Sequence, residues 1–255
     1  MHTEILKGIF IPLLGTTLGS FCVFFLRSEL SHSLVRLLSG FAAGVMTAAS
    51  VWSLLIPAIE YSNSLGSFAF LPAAAGFLLG ILALILTDRF VPLGKLFKES
   101  GDRAHKTAML VVSVTAHNLP EGIAVGAVYA ALLMGESDVS LAGALALSIG
   151  IALQNFPEGA IISMPLYASG VKRGRAFLTG ALSGIVEPIG AALAIIAARY
   201  LSALPWLLGF AAGAMIYVVV EELIPELSDT EKKAGGIIFY SFGFLLMMIL
   251  DVTLG

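Results

Sequence analysis

Long apolar runs, each about 20 residues or more, alternate with short polar stretches along the whole chain, and a run of that length lets a helix cross the hydrocarbon core of a bilayer. Eight spans are predicted, near 4–26, 34–60, 68–91, 107–133, 139–167, 176–198, 204–227 and 235–254. They consume nearly all of the 255 residues and leave no stretch for a soluble domain, so 1–255 reads as one all-α, polytopic transmembrane domain. The first run is too long, and wrongly flanked, for a cleaved signal peptide, and is expected to stay in the mature chain.

Composition agrees with that pattern: 58% of residues are hydrophobic, 12% are charged, and the mean hydropathy is +0.96. The lipid bilayer is the expected surrounding and no nucleic-acid partner is expected. The single cysteine, Cys22, cannot form an internal disulfide. A net charge of −3 says little, but the placement of the 14 Lys and Arg residues says more. Arg27 and Arg36 follow span 1, and Arg89, Lys95, Lys98, Arg103 and Lys106 follow span 3. Lys172, Arg173 and Arg175 follow span 5, and Lys232 and Lys233 follow span 7. Only Lys7 and Arg199 fall on the other side. Positively charged short loops face the cytoplasm, so both termini are expected outside it, which requires an even number of spans.

The sequence also repeats itself. Gly40-Phe41-Ala42-Ala43-Gly44-Val45-Met46 in span 2 returns as Gly209-Phe210-Ala211-Ala212-Gly213-Ala214-Met215 in span 7, and Leu55-Ile56-Pro57 returns as Leu223-Ile224-Pro225. Those two spans run in opposite directions, so an inverted repeat is expected, with spans 1–3 mirrored by spans 6–8 around a central pair, spans 4 and 5. Such repeats are a transporter signature and put the site near the midplane.

Polar chemistry concentrates in that central pair. His117-Asn118-Leu119-Pro120-Glu121-Gly122 and Gln154-Asn155-Phe156-Pro157-Glu158-Gly159 begin 37 residues apart. A charge at the centre of a spanning helix costs roughly 2.5–3.5 kcal/mol on insertion scales, so such residues pair, face water or hold a cation. No Lys or Arg lies at comparable depth, which leaves a cationic cargo as the simplest source of positive charge. His117 and Glu121 share a helix face, as do Gln154 and Glu158, while Asn118 and Asn155 each stand three residues before a glutamate. Each carboxylate can therefore bridge two neighbouring positions. Pro120 and Pro157 lack a backbone N–H and are expected to disturb the preceding turn, freeing the carbonyls of Ala116 and Leu153 toward a cation.

Glu187, beside Pro188 in span 6, is a candidate ligand of a second position. Glu221 and Glu222 in span 7 are candidates for an exit path or a secondary site. Met46 could lend a soft sulfur, although packing is its ordinary role, as for Met215. Asp88 and Asp251 stand near span ends and are expected at the interface. His2 and His32 are isolated near span ends.

These motifs, the eight spans and the exposed termini resemble the ZIP (Zrt-/Irt-like) divalent-metal transporters, and Gln154 resembles the GufA-type branch. The likeness runs through essentially the whole chain. It implies uptake of zinc and related divalent ions into the cytoplasm through a binuclear centre in spans 4, 5 and 6. His117, Glu121, Gln154 and Glu158, with Met46 nearby, match one position; Asn118, Glu121, Asn155, Glu158 and Glu187 match the other. Some relatives carry Asp where this chain has Asn155, which removes one charge from the second position. Many have a histidine-rich loop after span 3, whereas residues 92–106 contain only His105.

One imidazole among carboxylate and amide oxygens suits Zn2+ first, then Cd2+, Fe2+, Mn2+ or Co2+. Because histidine and glutamate ligate deprotonated, binding should weaken as pH falls. The expected mechanism is alternating access, and the resemblance implies displacement of spans 1, 4, 5 and 6 against 2, 3, 7 and 8. An intramembrane zinc enzyme is disfavoured, because only His117 lies among the apolar spans and no His-Glu-x-x-His is present. A monovalent-cation or proton transporter would need only the carboxylates. Gly-rich helix faces leave a homodimer open, and the compact chain suits a bacterial inner membrane.

Overall fold

The computed structural model describes residues 2–25, 31–90, 102–135, 139–201, 203–228 and 233–254. Within them lie seven helices long and apolar enough to cross a membrane: Thr3–Phe24, His32–Glu60, Phe70–Thr87, Leu141–Ala168, Arg173–Ala198, Leu204–Leu227 and Ala234–Leu254. These are spans 1, 2, 3, 5, 6, 7 and 8. Span 4 is the 33-residue helix Asp102–Met134, whose apolar character is diluted midway by His117, Asn118, Pro120 and Glu121. Arg27, Lys95, Lys98 and Lys232 fall outside the described residues, as do the side chains of His2, Asp88, Arg103, His105, Lys106, Arg199 and Lys233.

The protein is thus an all-helical integral membrane protein. Spans 3 and 8 are peripheral and spans 2 and 5 most enclosed. Leu78, Leu79, Leu82, Ile238, Phe242 and Ile249 remain exposed as an apolar outer surface, which a bilayer covers at no cost. Four tight pairings dominate: span 1 with 5, span 2 with 8, span 3 with 7, and span 4 with 6. Small residues make them possible by letting one backbone lie on another. A Cβ at Gly15 would strike the Ala152 carbonyl, one at Gly126 that of Ala191, one at Gly44 that of Tyr240, and one at Gly213 that of Phe77. These Gly-rich faces pair helices within the chain.

Prolines set where the helices change pitch. Span 2 widens into a π-helical turn at Ser50–Leu55, where the Ile56 N–H reaches the carbonyl of Val51, just before Pro57. Span 7 does the same at Val219–Leu223, where the Ile224 N–H reaches Val219, just before Pro225. A proline ring clashes with the carbonyl four residues back and withholds a donor, and a single wider turn absorbs both effects. Pro120 and Pro157, by contrast, sit inside continuous helices. The break comes in span 6 instead, which stops at Ser183, turns through Gly184 and Ile185, and restarts at Val186 ahead of Pro188. Span 5 ends at Gly170, whose φ of 97° is the left-handed closing turn that glycine permits.

Candidate metal centre

Hydrogen bonds join motif residues of spans 4 and 5 to each other and to the break in span 6. His117, Asn118 and Glu121 from span 4, Gln154 and Asn155 from span 5, and Glu187 from span 6 are all buried. Glu158 is half-buried. Glu187 belongs to the first turn after the break. The carbonyl of Ser183, at the end of the first half-helix, has lost its helical partner and accepts from Asn118 Nδ2 at 3.2 Å.

Pairing runs across spans rather than along them. Glu121 Oε1 accepts from Gln154 Nε2 at 2.5 Å. Glu187 Oε1 accepts from Asn155 Nδ2 at 3.0 Å and from the Thr16 hydroxyl at 2.9 Å. His117 Nδ1 lies 3.1 Å from Glu222 Oε2, so the histidine is held by span 7 and not by Glu121 one turn along its own helix.

The unpaired atoms form a pattern. Asn118 Oδ1, Glu121 Oε2, Gln154 Oε1, Asn155 Oδ1, Glu158 Oε2 and Glu187 Oε2 are buried and have no hydrogen-bond partner. Each of the three amides donates its N–H to the protein and keeps its oxygen; Glu121 and Glu187 each commit one oxygen and keep the other. Unsatisfied buried acceptors are rare because each forfeits its hydration. Six buried oxygens from three neighbouring spans thus lack a protein donor, an acceptor set whose chemistry suits a cation. Among the described residues, none of Glu121, Glu158 and Glu187 meets a Lys or Arg. Among the described residues, no three His, Cys, Asp or Glu side chains stand in a group that could hold a metal ion.

Residues 97–251, more than half of the chain, match the family described as ZIP Zinc transporter. The chain belongs to the ZIP zinc transporter family. Zinc transporter ZIP11 of Xenopus tropicalis is 34% identical over an alignment covering 100% of this chain and 99% of its own length. Zinc transporter GufA of Myxococcus xanthus is 36% identical, covering 94% of this chain and 95% of its own length. Zinc transporter ZIPB of Bordetella bronchiseptica is 35% identical, covering 94% and 78%. Membership in this ZIP family makes the chain a transporter and not an enzyme.

Not every candidate joins the cluster. Met46 is buried in the apolar core, as is Met215. Glu221 is exposed, and its neighbour Glu222 is the one that reaches His117. Asp251, expected at the interface, is half-buried and accepts both 2.7 Å and 2.8 Å contacts from the Ser53 hydroxyl. It lines a cavity of about 150 Å³ with Trp52, Pro57 and Glu60. Sequence reasoning overlooked Thr16 and the Ser183 carbonyl. Only the spacing Gly15-Thr16-Thr17-Leu18-Gly19 hinted that span 1 approaches closely at that level.

Proposed function

We propose that this protein carries Zn2+, and with lower preference Cd2+, Fe2+, Mn2+ or Co2+, into the cytoplasm through an intramembrane site of two adjacent positions bridged by Glu121 and Glu158. The observation that carries the reading is the set of six unpartnered buried oxygens. His117, with Nδ1 against a carboxylate, keeps Nε2 for the first position, alongside Glu121, Gln154 and Glu158; a carboxylate behind a ligating imidazole fixes its tautomer and raises its basicity. Asn118, Asn155 and Glu187 serve the second. Met46 is left out of both. The relatives named as zinc transporters make Zn2+ the first cargo.

Alternating access in this reading moves spans 1, 4, 5 and 6 as one body against spans 2, 3, 7 and 8. Support comes from where backbones touch. Glycine-to-backbone contacts join span 1 to 5, 4 to 6, 2 to 8 and 3 to 7, always within one body. Between the bodies, the glycine contact is softer: Gly150 of span 5 faces the thioether end of Met247 of span 8. An inverted repeat accounts for the same pairings, since exchanging span 2 with 7 and span 3 with 8 maps Gly44 on Tyr240 onto Gly213 on Phe77, and the two π-helical turns precede the equivalent Pro57 and Pro225.

The test is 65Zn2+ uptake into proteoliposomes with wild type, His117→Ala and Glu121→Ala. Loss of uptake of at least about tenfold in both is expected. Undiminished uptake in both variants would remove the site, and wild-type liposomes that pass K+ or H+ but no Zn2+ would replace the cargo.

A further inference from the structure

Span 1 carries no acidic or basic side chain except Glu4 and Lys7 in its first turns, yet one of its residues reaches Glu187. Thr16 is fully buried, and its hydroxyl donates to Glu187 Oε1, the oxygen that Asn155 also bonds. Two donors occupy that oxygen while Glu187 Oε2, equally buried, has none. A helical threonine ordinarily bonds the carbonyl four residues back, as Thr47 does to Ala43 and Thr115 to Val111. Thr16 points its hydroxyl elsewhere, and the surroundings are shaped for that. A Cβ at Gly184 would stand 2.8 Å from Glu187 Oε1 and 2.9 Å from Thr16 Oγ1, so the bare glycine leaves room for the bond. Gly159 brings span 5 against the Thr16 carbonyl, and the Ser20 hydroxyl, 2.9 Å from that carbonyl and 3.2 Å from that of Gly159, ties the turn down.

We propose that Thr16 is a positioning residue for cation binding: its hydroxyl holds Glu187 in the rotation that offers one oxygen to the cargo and keeps the other out of the coordination shell. This deepens the reading above and rests on Glu187 belonging to the second position. Thr16 itself touches no cargo. Removing the hydroxyl leaves Asn155 as the one donor to that oxygen, so the carboxylate is held less firmly and each binding event must order it further. Outer partners of metal ligands typically govern affinity by 10–100-fold.

The experiment uses the purified full chain. Zn2+ binding is measured by equilibrium dialysis, the metal-free unfolding midpoint by thermal scan, and the KM and maximal rate of 65Zn2+ uptake in proteoliposomes, for wild type, Thr16→Val, Thr16→Ser, Glu187→Gln and Thr16→Val with Glu187→Gln. Thr16→Val, close in shape, is expected to weaken binding of the second Zn2+ and raise KM about tenfold, with the maximal rate within about twofold, and Thr16→Ser to restore both. In the Glu187→Gln background, Thr16→Val should add nothing. Gly184→Ala presses on the same hydrogen bond from the other side and should raise KM likewise, which provides a reading if Thr16→Val does not fold. Wild-type behaviour of Thr16→Val, additive effects of the two substitutions, or a Thr16→Ser as impaired as Thr16→Val would each overturn the assignment. Wild-type protein that neither binds nor carries Zn2+ would instead overturn the function beneath it, and this role with it.

Discussion

Replacing Gly150 with alanine separates motion from stability at one position. In a helix interior the exchange gains about 1 kcal/mol in intrinsic propensity. At Gly150 the new Cβ would meet the Met247 sulfur, with Met247 Cε at 3.1 Å and Val45 Cγ1 at 3.8 Å. A methionine tip swings aside at roughly 0.5–1.5 kcal/mol, so the two effects nearly cancel and the unfolding midpoint should hardly move. Gly44→Ala and Gly213→Ala are the controls. There the Cβ strikes the Tyr240 or Phe77 carbonyl, which cannot swing aside, and overpacking of that kind costs about 1–3 kcal/mol. Those variants should melt several degrees lower. Transport should rank the other way. In the proposed alternating access, Gly150 and Met247 belong to the two bodies that slide, and a penalty of about 1 kcal/mol on an end state the cycle must reach slows it by roughly fivefold. Uptake per folded molecule is therefore expected to fall about three- to tenfold in Gly150→Ala, to recover when Met247→Ala is added, and to stay within about twofold of wild type in the two controls. Uptake that survives in Gly150→Ala but collapses in Gly44→Ala would refute the division into bodies.

Acid should release the cargo: His117 and the glutamates ligate deprotonated, so Zn2+ affinity measured by dialysis is expected to fall between pH 7.5 and 5.5, by up to about tenfold per pH unit for each proton taken up. A flat profile would exclude His117 from the shell. Glu222→Ala should weaken binding at the first position about tenfold by loosening the imidazole, with little change in melting; equal affinity would make the 3.1 Å pair incidental. Asn155→Asp removes a donor from Glu187 and sets two carboxylates together, so the metal-free protein should melt lower while saturating Zn2+ restores more stability than in wild type. Failure of Zn2+ to compensate would remove Asn155 from the second position.

Much of the architecture was legible because a bilayer enforces it: an apolar run of sufficient length has little alternative to a spanning helix. Span 4 has a long helix at the expected place, Asp102–Met134, although His117, Asn118, Pro120 and Glu121 dilute its apolar run and keep it out of the seven that are apolar enough to cross. Spacing along one helix also pointed to Glu121 and Glu158, each of which keeps a buried oxygen without a hydrogen-bond partner. It could not reveal which groups pair between helices, since those contacts depend on how spans are rotated and stacked. Hence Glu121 finds Gln154 and His117 finds Glu222. Proline was an incomplete guide: a disturbance was expected at Pro120 and Pro157, but those helices run on, and the chain breaks ahead of Pro188, where Gly184 lies in the turn and the Asn118 amide bonds the freed Ser183 carbonyl. Thr16 was hidden because a single threonine in an apolar run normally bonds its own helix, as Thr47 does.

The choice of amides beside carboxylates bears on release as much as on capture. Gln154 steadies Glu121 with its nitrogen and keeps its own oxygen free without adding charge, so the first position of the proposed site would keep its shape without a cation yet bind less strongly than an all-carboxylate shell. A carrier needs that compromise, since a site must be favourable enough to fill and weak enough to empty. Gln154→Glu tests it. The substitution deletes the donor to Glu121 and adds a charge to the shell, so Zn2+ affinity should rise about tenfold while uptake at saturating Zn2+ falls, the rate now limited by dissociation on the far side. Dialysis and initial-rate uptake on the same preparation give both numbers. If the substitution tightened binding and sped transport together, release would not be the step that the amide serves, and the role assigned to Gln154 would have to be abandoned.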